Sequence, residues 1–190
     1  MKKVIVIGAS GSLAEYVIDV LSHFSDVELT LFLRNKRRLV NRPPGAKVVE
    51  GDVMNYNTLK AAIENQDIVY VNLAGDLNSM SANIVKAMQQ AGVQRVIAIS
   101  SIGIYKEPLK SVLRPYRALA DNFEASGLDY TIIRPDWFTN GDEVNYHITK
   151  KPEPEIGGAL SRKSIAAFVA KLINNPDLHV KENLGISKLQ

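Results

Sequence analysis

The stretch Val4-Ile5-Val6-Ile7-Gly8-Ala9-Ser10-Gly11-Ser12-Leu13-Ala14 decides the fold. Val4 to Ile7 is a run of β-branched residues with no polar alternation, which suits a strand buried on both faces at the centre of a parallel sheet. From Leu13 the period changes. Leu13, Val17, Val20 and Leu21 share one stripe of a helix running to Leu21. Between strand and helix, Gly8 permits a sharp turn, Gly11 leaves the backbone bare and Ala14 lets the helix pack close to the sheet. A turn of this kind points the free amides of a helix start, and the positive end of its dipole, at a phosphate group. The plain alternative is a tight turn that binds nothing, but the strand–turn–helix context favours a dinucleotide site at Gly8, Ser10, Gly11, Ser12 and Leu13.

Outward from this turn, strands and helices alternate. Strands are predicted at Val27 to Leu33, Ala46 to Val49, Ile68 to Leu73, Val96 to Ser100 and Tyr130 to Arg134. Helices are predicted at Asn55 to Glu64, Met80 to Ala91, Val112 to Ala125 and Ile165 to Ile173, with Gly92 and Gly127 as left-handed stops and Ser161 or Ser164 as the last N-cap. The loop Asn41 to Gly45 joins the second strand to the third. Gly141 to Leu160, with Pro152, Pro154, Gly157 and Gly158, reads as an irregular excursion near the site. The alternation implies an α/β, doubly wound parallel-sheet Rossmann fold in strand order 3-2-1-4-5-6. One domain covers residues 1–190, with no large substrate domain.

The end of the second strand bears on the cofactor. NAD-specific sites place a carboxylate there to accept the ribose 2′-hydroxyl. This chain instead reads Arg34-Asn35-Lys36-Arg37-Arg38. Arg34 and Arg38 are the candidates for a 2′-phosphate, with Arg37 as a third basic neighbour, so NADP(H) is expected in preference to NAD(H). A solvated basic loop is the competing reading. Past the third strand, Asp52 is a candidate acceptor for the adenine amino group and Val53 a contact for the ring. Leu73, Ala74 and Gly75 follow the fourth strand, where the backbone can pass close to the adenosine half.

Composition limits the alternatives. Of 190 residues 46% are hydrophobic and 23% charged, and the net charge of +3 lacks the basic stripe of a nucleic-acid binder. The absence of cysteine excludes disulfides and thiol chemistry and suits a cytoplasmic setting. His23, His147 and His179 share no metal-ligand spacing, so no metal is expected. The N-terminal apolar run stops at Gly8, too short for a signal peptide, and no stretch is long enough for a membrane span. A homodimer through apolar helix faces stays open.

Gly8-Ala9-Ser10-Gly11, Gly51-Asp52-Val53, Ile99-Ser100-Ser101 and Ser126-Gly127-Leu128-Asp129-Tyr130-Thr131-Ile132-Ile133-Arg134-Pro135 together resemble the NAD(P)H-binding, NmrA-like branch of the atypical short-chain dehydrogenases/reductases. In size the chain is similar to the flavin reductase (biliverdin-IXβ reductase) type. The resemblance implies a Rossmann fold and a nicotinamide cofactor. It implies less about chemistry, since the branch includes reductases and redox-sensing regulators. The Tyr-x-x-x-Lys pair of short-chain dehydrogenases is missing: spacing back from Ser126-Gly127 puts Val112 and Tyr116 at its two positions, and neither Tyr105 nor Tyr116 has a lysine one helical turn on. A conjugated acceptor that takes its proton from water needs no such pair.

The remaining candidates come from strand ends. Ser100 is expected beneath the nicotinamide beside Pro135. Ser101 and Tyr116 are the candidate catalytic hydroxyls. Trp137 and Phe138 are the candidate apolar wall for a planar small-molecule substrate. His147 is a weaker candidate in the excursion, and Lys163 stands where the flavin reductase type carries an imidazole. Together these readings favour an NADPH-dependent reductase acting on a flavin, quinone or other conjugated acceptor. The alternatives are a cofactor-binding redox sensor and, less well supported by the short C-terminal portion, a nucleotide-sugar epimerase or dehydratase.

Overall fold

The computed structural model describes residues 1–40 and 42–188. Asn41, the first residue of the predicted loop after the second strand, and residues 189–190 of the predicted domain lie outside the described residues. Along the chain run β1 (Lys2–Ile7), α1 (Ser12–Ser22), β2 (Val27–Leu33), β3 (Lys47–Glu50), α2 (Tyr56–Ile63), β4 (Ile68–Val71), α3 (Leu77–Ala91) and β5 (Arg95–Ile99). Then come α4 (Arg114–Ala125), β6 (Asp129–Pro135), β7 (Phe138–Thr139), β8 (His147–Lys150), β9 (Leu160–Ser161), α5 (Arg162–Asn174) and β10 (Glu182–Ser187).

One sheet of eight strands has the order β3-β2-β1-β4-β5-β6-β10-β8. The predicted order of the first six strands is what the structure shows. Alternate residues of β1 serve two cores, as its unbroken apolar run requires. Val4 and Val6 join Leu13, Val17, Leu21, Phe168 and Leu172 under α1 and α5. Ile5 and Ile7 join Leu59, Ile84, Met88, Leu119 and Phe123 under α2, α3 and α4. Helices thus cover both faces, and burial of these side chains is the main term holding the layers together.

The fold class is the one expected, a mostly parallel doubly wound sheet, with one antiparallel strand added at its edge. β10 adds parallel to β6, and β8 adds antiparallel to β10. The expected irregular excursion therefore holds β8, together with β9, which pairs with β7 in a separate two-stranded ribbon. A buried ion pair ties it down: Arg134 of β6 meets the Glu155 carboxylate, whose other oxygen accepts the Gly103 amide at 2.9 Å. Arg134 also donates to Asn183 Oδ1 of β10 at 2.7 Å.

The register brings the site together. Ile7 lies opposite both Phe32 and Val71, and Ile99 lies opposite Ile133. The C-terminal ends of β1, β2, β4, β5 and β6 consequently finish along one edge. Because the chain winds outward in one direction through β2 and β3 and in the other through β4 to β6, the connections part between β1 and β4. That is the crevice where open α/β sheets bind ligands.

Candidate active site

A cleft of about 1140 Å³ runs along this edge. The glycine turn forms its floor. Gly8 has φ +90°, and a Cβ built there would stand 2.1 Å from the Asn72 carbonyl oxygen; one built on Gly11 would stand 2.8 Å from Asn72 Nδ2. Gly8 is therefore held to glycine by the backbone of the residue that follows β4, apart from any ligand, whereas a side chain at Gly11 would require the Asn72 amide to move aside. Gly11 N-caps α1 without a side chain, and its carbonyl accepts the Glu15 amide. The amides of Ser10, Ser12, Leu13 and Ala14 have no acceptor among the described residues. Four free donors at a helix start fit a diphosphate.

One end of the cleft is basic. Arg34 and Arg38 line it, while Arg37 does not. Asn35 shapes this corner by accepting the Arg37 amide at 3.0 Å and opening a single 3-10 turn over Lys36–Arg38. The carboxylate of Glu50 accepts the Lys36 amide at 2.9 Å, and among the described residues neither Arg34 nor Arg38 has a carboxylate within 4.0 Å. Beside them Asp52 and the buried Val53 line the wall, with one Asp52 oxygen accepting the Met54 amide at 2.8 Å. Asn72, Leu73 and Ala74 follow on the cleft wall; Gly75 is exposed and outside that lining.

The other end is mixed. Ser100, Ser101, Tyr116, Pro135, Trp137 and Phe138 all line it. Ser100 is buried, and its hydroxyl donates to the Tyr116 carbonyl at 3.0 Å, so it braces β5 against α4. The Ser101 hydroxyl has only its neighbour's carbonyl, Ile102 O, at 3.2 Å. The Tyr116 hydroxyl has no partner among the described residues. Trp137 is 83% exposed on the rim, opposite in character to a core aromatic, and Val112 is 69% exposed on the same cleft. Phe138 is half-buried and packs on the α1–α5 core.

Several residues fall elsewhere. Tyr105 is outside the cleft lining. Its hydroxyl accepts from Asn183 Nδ2 at 2.8 Å, with Lys151 Nζ 4.3 Å from its ring centre. Burial pushes its phenol up, and the Glu124 carboxylate adds to this against the opposing Lys151, so it keeps its proton at neutral pH. His147 is exposed on β8, and Lys163 pairs with Asp142 on the surface. Among the described residues no group of three or more His, Cys, Asp or Glu could hold a metal, and no helix is long and apolar enough to cross a membrane. Sequence reasoning missed Asn72, Lys106, Lys110 and Asp136, which also line the cleft. Only Asn72 carried a signal, as the first polar residue after the apolar run Ile68 to Val71.

The sequence model of a family described as NAD(P)H-binding matches residues 8–176, from the glycine turn to the end of α5. The chain belongs to this NAD(P)H-binding family. A Rossmann-fold NAD(P)-binding family protein from Shigella flexneri is 40% identical in sequence, with a TM-score of 0.91 over 99% of this chain and 94% of that one. ChuY, an anaerobillin reductase from Escherichia coli O157:H7, is 18% identical with a TM-score of 0.85, covering 100% of this chain and 99% of its own, and so shares the fold. Among curated proteins, the isoflavone reductase homolog A622-like of Nicotiana tabacum is 26% identical over 152 residues, which is 73% of this chain and 49% of the tobacco protein. The chain spans about half the length of that relative. The NAD(P)H-binding family and its oxidoreductase relatives agree with the free amides and the open crevice of this structure.

Proposed function

We propose that this chain is an NADPH-dependent reductase that serves a planar conjugated acceptor, such as a flavin or quinone, without a phenol–lysine proton relay. The observation that carries this reading is the continuity of the cleft from Arg34 and Arg38, which have no carboxylate partner among the described residues, past the free amides of the glycine turn, to the exposed Trp137 and Val112. Arg34 and Arg38 would hold the 2′-phosphate, the α1 amides the diphosphate, and Asp52 with Val53 the adenine. Bound there, the cofactor supplies hydride. Trp137 and Phe138 present apolar ring surface to a flat acceptor, and holding two partners in one cleft is the entropic part of the rate enhancement. Tyr116 offers a hydroxyl at the same end, yet neither Lys106 nor Lys110 is hydrogen-bonded to it, which favours proton delivery from water.

The test is steady-state NADPH oxidation by the full chain against flavins, quinones and aldehydes. Turnover is expected with flavins or quinones and not with simple aldehydes. Tight NADPH binding without turnover on any acceptor would reject the enzyme and leave the redox-sensor reading. In that case partner affinity should differ between the NADP⁺ and NADPH forms.

A further inference from the structure

Arg162 opens α5, and nothing in the sequence marks it as part of the cofactor site. Its guanidinium reaches three groups: Nε to Ser12 Oγ at 3.4 Å, Nη1 to Asn140 Oδ1 at 2.8 Å and Nη1 to the Thr139 carbonyl at 3.3 Å. It also lies 5.3 Å from the centre of the Phe138 ring. All three acceptors are neutral. No carboxylate lies within 4.0 Å of it among the described residues, and both N–H groups of Nη2 are without a partner there.

The placement is electrostatically unusual. Arg162 is the first residue of its own helix, where a cation is disfavoured, and it touches the first residue of α1, where four free amides already point positive charge outward. Lys163 beside it is neutralised by Asp142, whereas Arg162 is not. A half-buried cation joined to the positive ends of two helices is favourable when an anion sits among them. The fork of Arg162 already touches Ser12, which lines the cleft at the diphosphate turn.

We propose that Arg162 is a ligand of the cofactor diphosphate. Its free Nη2 donors turn to a phosphate oxygen while Nη1 keeps the β7 segment at Thr139 and Asn140 drawn against the glycine turn. This rests on the dinucleotide reading of the cleft, and it assigns Arg162 a role separate from that of Arg34 and Arg38. They face the 2′-phosphate; Arg162 faces a group common to NADP(H) and NAD(H).

The experiment compares wild type with Arg162→Ala, Arg162→Gln and Arg162→Lys in titrations with NADPH, NADH, ADP-ribose and adenosine 2′-monophosphate. Loss of a charge-assisted contact should weaken the three diphosphate ligands roughly 10- to 100-fold in the Ala and Gln variants, and less in Lys. Adenosine 2′-monophosphate, which has no diphosphate, should bind within about twofold of wild type. Gln retains a donor for the β7 segment, so it carries the test even where Ala lowers the unliganded melting temperature. Unchanged NADPH and NADH affinity, or equal weakening of all four ligands, overturns the proposal. A wild-type chain that bound no dinucleotide would instead sink the reading of the cleft itself.

Discussion

Arg34 and Arg38 are the residues on which cofactor choice turns. A guanidinium presents a planar fork that matches a phosphate, and these two stand at the cleft with no carboxylate partner within 4.0 Å among the described residues. Arg34→Ala is expected to weaken NADPH binding about 10- to 100-fold, the usual loss for one charge-assisted contact, and to leave NADH within about twofold. Paired titrations of the two cofactors check this. Equal losses for both would mean that the arginine reads something other than the 2′-phosphate. Single residues were also where sequence reading was strongest and where it failed. Gly8 was legible because a turn out of a buried strand requires a left-handed conformation, and its φ of +90° meets that requirement. The further restriction, the Asn72 carbonyl 2.1 Å from its missing Cβ, depends on a neighbour more than sixty positions away and left no local mark. Ser100 shows the reverse case. Its position at a strand end was right, but its hydroxyl is engaged by the Tyr116 carbonyl, a partner that no spacing rule reveals.

At the scale of elements, β1 to β6 were legible because each is a short apolar run closed by turn or cap residues. β8 and β10 were not. His147-Ile148-Thr149-Lys150 and Glu182-Asn183-Leu184-Gly185-Ile186-Ser187 carry polar residues and a glycine that depress strand propensity. They are strands because tertiary contacts make them so. A Cβ on Gly185 would fall 2.5 Å from Thr149 Oγ1, so the glycine admits β8 to the sheet edge. The Arg134–Glu155 pair supplies a second constraint, since both side chains are almost wholly buried. Breaking such a pair leaves an uncompensated charge in a low-dielectric setting. Glu155→Ala is therefore expected to lower stability by about 3–5 kcal/mol, and Glu155→Gln, whose single amide oxygen can still accept one of the two donors, Gly103 N–H or Arg134 N–H, by less. Urea unfolding of the three proteins measures both. An alanine variant within about 0.5 kcal/mol of wild type would show that the excursion is anchored by its other contacts.

For the whole molecule, the sheet edge gathers the ends of five strands into one crevice, and a ligand that fills it must bind the folded state and not the unfolded chain. Stability then becomes a direct reading of the site. A ligand present at a hundredfold excess over its Kd adds about 2.7 kcal/mol. For a chain of this length each kcal/mol raises Tm by about 2–4 °C, so NADPH at that excess should raise Tm by roughly 5–10 °C. NADH at the same concentration lacks the 2′-phosphate. If it binds about 10- to 100-fold more weakly, its excess falls to between one and ten times Kd, and the shift falls to about 1–5 °C. The comparison separates three properties in one measurement. A large NADPH shift with a small NADH shift assigns the basic corner to the 2′-phosphate. Equal shifts confine recognition to the glycine turn and the adenine wall, which the two cofactors share. No shift with either, in a protein that melts cooperatively, means that the free amides of α1 do not hold a diphosphate.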